Sequence, residues 1–405
     1  MELIYLSLQK KSIVKRYLLS ILTFFFIIFG ANAQITTGEV TGEINTIQSV
    51  VPFLTIAPDS RSGAMGDVGV ATSPDINSLH WNPAKYAFID GDGGVGLSYS
   101  PWLRNLVPDI NLASLTAYKR IDDKQVISGS LLYFSLGNIT FTDIFGNTMR
   151  NFNPNEFAVD LSYSRKFSDN ISGAIAFRYI YSNLTGGTHV GGTETKPGTS
   201  IAADLGTYYQ KELSLLDKET LLRLGLNISN IGSKMSYTDD QDPDFIPINM
   251  RFGGSLEFEL DQFNSITIAA DINKLLVPTP PVYDSAGVNI IYGMDPDVSV
   301  PAGMIHSFYD APGGFKEEMH EITYSIGLEY WYSGQFAIRA GYFNEHETKG
   351  NREFFTAGLG LKLNVFSLDF AYLIPTAQNH PLARTLRFSL SFEFDTFKKL
   401  NNKTE

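Results

Sequence analysis

EFAVDLSYSRKF, residues 156–167, alternates without losing phase. One set of positions holds Phe157, Val159, Leu161, Tyr163 and Phe167, interrupted only by Arg165; the other holds Glu156, Ala158, Asp160, Ser162, Ser164 and Lys166. Successive side chains of a strand point to opposite faces, so this segment is a strand with one apolar and one polar side. The pattern returns in 250–260, where Met250, Phe252, Leu256, Phe258 and Leu260 oppose Arg251, Ser255, Glu257 and Glu259. It returns again in 321–332 and in 385–395, whose Leu386, Phe388, Leu390, Phe392 and Phe394 oppose Arg387, Ser389, Ser391, Glu393 and Asp395. In a membrane barrel the outer face must be apolar and the lumen can be polar.

Working outward from these segments, fourteen strands are expected: 94–100, 110–120, 125–136, 156–167, 170–182, 199–211, 219–229, 249–260, 264–275, 321–332, 335–344, 352–363, 365–374 and 384–395. The connections alternate in length. Those after even-numbered strands are short, and those after odd-numbered strands are long, the longest being 276–320. Short periplasmic turns and long external loops are the habit of outer-membrane barrels, and single-chain bacterial barrels have an even strand number. The expectation is an all-β fold, a 14-stranded antiparallel transmembrane β-barrel, in the cell outer membrane with both termini in the periplasm. A soluble sandwich or propeller has no reason to alternate its loops. Aromatic residues near strand ends, among them Trp102, Tyr179, Tyr330, Tyr332 and Tyr372, are expected in interfacial girdles.

The composition agrees. Charged residues are 18% and aromatic residues 13% of the 405-residue chain, with 35 glycines and a mean hydropathy of −0.04. Helical membrane proteins need spans of about 20 apolar residues, and only Tyr17–Gly30 approaches that. It follows the basic Lys10–Arg16 and precedes Ala31-Asn32-Ala33, so 1–33 reads as a cleaved signal peptide. With no cysteine in the chain, disulfides and thiolate chemistry are excluded. A net charge of −12 makes a nucleic-acid partner unsuited.

Ahead of the barrel, 34–93 is expected to be a periplasmic N-terminal tail followed by a hatch in the lumen. Eight strands give a lumen that side chains fill and sixteen to eighteen leave a channel, so fourteen leave room for a plug. Gly63, Gly66 and Gly69 allow tight turns. Asp67 can meet polar lumen groups, and Asn82-Pro83-Ala84 makes a rigid turn. The barrel proper is 94–395, with a short periplasmic tail at 396–405.

SRSGAMGDVGVATSPDINSLHWNPAKYAF (60–88) resembles the hatch of FadL-like outer-membrane barrels, a family with fourteen strands and an N-terminal plug. SVVPFLTIAPDSRSGAMGDVGVAT (49–72) and SFYDAPGGFKEEMHEI (307–322) resemble the PorV (LptO) family, the FadL-like subunits of the type IX secretion system. This resemblance implies a non-enzymatic role. It implies binding of cargo through its C-terminal signal domain at a SprA/Sov-type translocon barrel and delivery to a PorU-type sortase attachment complex. It leaves open transport of hydrophobic small molecules, as in FadL relatives, and lipid A deacylation.

The loops supply the candidate contacts. Within 276–320, Gly287–Met294 is largely apolar, followed by Val298, Val300, Met304, Ile305, Phe308 and then Phe315. Large exposed apolar patches are usually interaction sites; the alternative is a loop folded over its own barrel mouth. Asp240, Asp242 and Asp244 have the spacing of the first ligands of a calcium loop, but Phe245 and Arg251 stand where its glycine and glutamate belong, so an acidic solvated loop is the reading. The six histidines show no metal spacing and no G-x-S-x-G elbow is present, so no catalytic, cofactor or metal site is expected. Lumen-facing Asp160, Arg178, Asp204, Arg223, Arg251, Glu257, Asp271, Glu329 and Arg387 are expected to pair among themselves and with the hatch. Gly253-Gly254 and Gly358 with Gly360 are candidate kinks in the wall.

Overall fold

The computed structural model describes residues 44–394, apart from 105–106, 108, 143–144, 188, 191–192, 216–217, 240–241 and 378–379. The expected leader, residues 34–43, Asp240 and the tail after 394 therefore lie outside the described residues. Fourteen strands close into one antiparallel barrel. They are β1 (Gly93–Pro101), β2 (Ile110–Arg120), β3 (Gln125–Leu136), β4 (Asn155–Lys166), β5 (Ile171–Asn183), β6 (Gly198–Leu215), β7 (Lys218–Gly232), β8 (Asn249–Glu259), β9 (Asn264–Leu275), β10 (Thr323–Tyr332), β11 (Phe336–Asn344), β12 (Glu353–Leu363), β13 (Phe366–Pro375) and β14 (Leu386–Glu393). The ends meet along a β1–β14 seam, with Gly94 opposite Glu393 and Tyr99 opposite Phe388.

The burial pattern is that of a soluble protein turned inside out. On β4, Val159, Leu161 and Tyr163 are exposed, Leu161 to 64%, while Asp160, Ser162 and Ser164 are buried. All the short turns fall at one end of the barrel and all the long connections at the other. β6 and β7 run past their expected limits, leaving only 216–217 between them. The apolar face stops near Tyr209, yet the ladder continues through Glu212 opposite Leu221 and Ser214 opposite Glu219. Backbone pairing needs no apolar side chain, so hydropathy alone ended these strands too early.

At the candidate kinks the ladder shows no register break. Gly253-Gly254 and Gly358 with Gly360 pair in unbroken register. Among the described wall pairings the register shifts only between Ala203 and Leu205, opposite a β7 stretch where Asn230 has φ 63. Trp102 also departs from expectation. It packs inward with Leu103 on buried loop-end residues, and the Arg387 guanidinium lies 5.9 Å from its ring.

The chain from 44 to 92 runs down the lumen once. It starts at the long-loop end, where the Asn45 N–H donates to Thr348 O at 3.0 Å and the Val50 N–H donates to Phe245 O at 3.0 Å. Short helical turns follow at Pro52–Thr55, Ser60–Gly63, Ser78–Trp81 and Pro83–Phe88. It leaves at the short-turn end, where the Arg120 N–H donates to Asp92 O at 2.8 Å. The described part of the expected polar tail, 44–51, thus lies against the long-loop end of the lumen. Val50, Val51, Phe53, Leu54 and Ile56 join one apolar cluster with Phe134, Phe245, Ile246, Ile248 and Leu276 under the long loops. Burying these side chains together outweighs the polarity of their neighbours. A second cluster of Ile76, Leu79, Tyr86, Ile89 and Tyr118 sits farther along the thread.

Candidate docking face and lumen seal

The seven expected hatch residues sit together against the wall. Gly66 (φ 70) and Asp67 (φ 61) turn the chain through left-handed backbone, which glycine and aspartate tolerate. The Gly66 N–H then reaches Thr356 Oγ1 at 2.9 Å, and the Gly69 and Val70 N–H groups converge on Asp271 Oδ2 at 2.7 and 2.9 Å. Asp67 pairs with Arg387 at 2.7 Å, and Gly63 leaves room for that guanidinium. Asn82 caps the turn Pro83–Phe88. Its Oδ1 accepts from the Ala84 N–H at 3.1 Å and its Nδ2 donates to Thr207 O at 2.9 Å and Val70 O at 3.2 Å. Pro83 O and Ala84 O accept from Ser164 Oγ and Ser172 Oγ, each at 2.7 Å. Orphan backbone groups of the hatch are thus satisfied by wall side chains, which is what burial demands.

Wall glycines were missed as hatch contacts by the sequence reading. On the lumen phase of β8, β10 and β11, a Cβ at Gly253 or Gly327 would come within 2.7 Å of Val70 or Met65, and one at Gly341 would fall on the Gly66 nitrogen. The signal was legible as glycine recurring at lumen-phase strand positions, where a close backbone approach needs it.

Most wall charges pair as expected. Arg178 meets Asp160 at 2.6 Å and Asp204 at 3.3 Å; Arg223 meets Glu257 at 2.5 Å. Glu329 bridges the hatch Arg61 (2.7 Å) and the wall Arg339 (2.7 Å), and Arg339 also holds Asp369 at 2.6 Å. Between the hatch and residues 46–55 lies a cavity of about 340 Å³ with Asp67, Arg251, Glu321, Glu345, Lys349 and Arg352 in its lining. Its carboxylates have cations of their own: Asp67 has Arg387, Glu345 has Arg352 at 2.7 Å, and Glu321 has Lys274 at 2.6 Å and Lys349 at 3.0 Å. Arg251 is the exception. Its Nη1 donates to His80 O at 3.1 Å, its guanidinium lies 5.2 Å from the Trp81 ring, and among the described residues it meets no carboxylate.

The longest connection, 276–322, divides the six expected contact residues. Val298, Val300 and Met304 turn inward onto the apolar cluster. Ile305, Phe308 and Phe315 face outward, Phe315 at 76% exposure, and Val288, Ile291, Tyr292 and Tyr309 of the same connection are exposed with them. A polar latch holds the connection down. Lys349 Nζ reaches Glu317 at 2.5 Å, and the Asn45 amide donates to Glu317 at 2.9 Å. Burial alone would raise the Glu317 carboxyl, but the Lys349 bond and the Gly313 N–H outweigh it and hold it below its ordinary range. Burial raises Asp310, despite the Thr279 N–H that it accepts at 3.1 Å. Among the described residues no group of three or more histidines and carboxylates is placed to hold a metal.

A family model described as "Type IX secretion system protein PorV" matches residues 39–282. Among solved structures, the toluene transporter TodX of Pseudomonas putida is similar over 86% of this chain and 98% of its own, at 11% identity and a TM-score of 0.48. A FadL homologue of Pseudomonas aeruginosa is similar over 86% of this chain and 100% of its own, at 11% identity and a TM-score of 0.44. No curated protein matches the chain.

Proposed function

Because the chain belongs to the PorV family of type IX secretion system proteins, outer-membrane barrels that are secretion components and not enzymes, we propose that it is a sealed docking platform. It binds cargo through the cargo's C-terminal signal domain at a SprA/Sov-type translocon and hands it to a PorU-type sortase attachment complex. The observation that carries this reading is the outward apolar face of 276–322, Ile291, Tyr292, Ile305, Phe308 and Phe315, mounted on a barrel whose lumen is plugged. Val298, Val300 and Met304 serve that face from beneath by fixing the loop to the mouth. The alternative, a transporter of hydrophobic small molecules, needs an apolar route. The cavity here carries charged side chains instead, and the hatch is bonded along its length to the wall.

Replacing Ile291, Ile305, Phe308 and Phe315 together by serine changes only exposed side chains, so barrel abundance in the outer membrane should not change. Secreted cargo should fall about tenfold or more and the translocon should no longer co-purify, as expected when a cluster of interface anchors is removed. Normal secretion with both partners retained would reject the platform.

In this reading the long-loop end faces outward and the short turns and β14 terminus face the periplasm, with outer-membrane lipids around the belt. The start of the described chain then lies at the external mouth. The absence of cysteine makes this directly testable. In intact cells a membrane-impermeant maleimide should label Ile44→Cys and leave Asp169→Cys, in a short turn, unlabelled; the opposite pattern would invert the barrel.

A further inference from the structure

We propose that the cavity between the hatch and residues 46–55 binds a small hydrophilic carboxylate, a monoanion bearing hydroxyl groups, with Arg251 as its anchor. The proposal stands independently of the docking reading, because it concerns the lumen and not the loop face. Arg251 is 5% exposed, and among the described residues it is the cation of the cavity lining with no carboxylate in ion-pair contact; Asp204, Asp271 and Asp67 act on it only through space. Its one hydrogen bond among the described residues is the Nη1 bond to His80 O, and a buried guanidinium favours a direct acceptor for its other N–H groups. The guanidinium fork fits the plane of a carboxylate, which it can take through two parallel N–H bonds.

Two carboxamides complete the patch. Asn273 stands directly opposite Arg251 across the β8–β9 ladder, and Asn249 is the preceding lumen-phase residue of β8. Both line the cavity. Asn273 Oδ1 is buried without a hydrogen-bond partner, so the site also asks for a donor beside the carboxylate, and a hydroxyl supplies it. The acidic lining favours a monoanion. Asp67, Glu321 and Glu345 already use the remaining cations around the cavity, so a second negative charge on the ligand would face carboxylates with no cation to spare. At about 340 Å³ the cavity lies at the small end of ligand sites.

The test uses the whole barrel in lipid nanodiscs and gluconate as the probe, with binding measured by calorimetry. Gluconate should bind saturably. Arg251→Gln should weaken it about tenfold or more, the loss of a charge-assisted bond, and Arg251→Lys should keep part of the affinity. No saturable binding, undiminished binding to Arg251→Gln, or phosphate or octanoate binding as tightly as gluconate would overturn the assignment. Should Arg251→Gln fail to yield a heat-modifiable folded band, the neutral pair Asn249→Ala with Asn273→Ala decides. It should weaken gluconate, and unchanged affinity would likewise overturn the site.

Discussion

Glu329→Ala should unseat the hatch. Glu329 is 1% exposed and stands between two guanidiniums, taking Arg61 Nη2 at 2.7 Å and Nε at 2.9 Å from the hatch and Arg339 Nε at 2.7 Å from β11. Removing one partner of a buried ion pair leaves the other charge uncompensated and costs about 3–5 kcal/mol. Here the loss falls on both sides of the contact between hatch and wall. Arg339 keeps Asp369, and Arg61 keeps Asp75 at 2.9 Å, so the barrel should still assemble. The expected result is a lower temperature for loss of the heat-modifiable band and faster influx of small solutes into proteoliposomes. Unchanged melting and influx in Glu329→Ala would mean that the hatch is held by its backbone contacts alone.

Gly341→Val tests those backbone contacts. A Cβ at Gly341 would fall on the Gly66 nitrogen and the Met65 carbonyl carbon, so the obstacle is main chain and no rotamer change relieves it. Overpacking costs about 1–3 kcal/mol where side chains can shift, and this site should lie at the upper end or beyond. Gly129→Ala is the control, because a Cβ there meets only Asp160 O at 3.2 Å, within the wall. Gly341→Val should raise solute influx with the barrel still inserted, and Gly129→Ala should behave as wild type. Equal influx in the two would show that the hatch does not rest on β11.

What could be read from the sequence followed from what repeats. The apolar–polar alternation of 156–167 is imposed by lipid on one face and the lumen on the other, so every strand declared itself within a few residues of its limits. Gly66, Asp67 and Asn82 announced the hatch because each residue type answers a local backbone need. What depends on a distant partner was not legible. Val50 and Val51 read as part of a polar tail until Phe245 and Ile246 arrive to cover them. Met304 looks like Phe308 in sequence, yet one faces the mouth and the other faces outward. The wall charges were expected to pair, but only the fold shows that Arg251 reaches the cavity without a carboxylate in ion-pair contact among the described residues.

The single passage of residues 44–92 through the barrel has a consequence for how the molecule is made. The thread touches the long-loop mouth at Thr348 and the opposite rim at Arg120, and β1 begins immediately after it. The same strand forms one side of the seam with β14. With Gly341, Gly327 and Gly253 pressed against the thread there is no free bore to feed it through afterwards. The geometry therefore calls for the barrel to close around a segment already laid on the open sheet, and the β1–β14 seam, which joins the two ends of the strand series, is the place for that closure. Among the described residues, the segment at the start of the chain is thus held in place by the strand at its end.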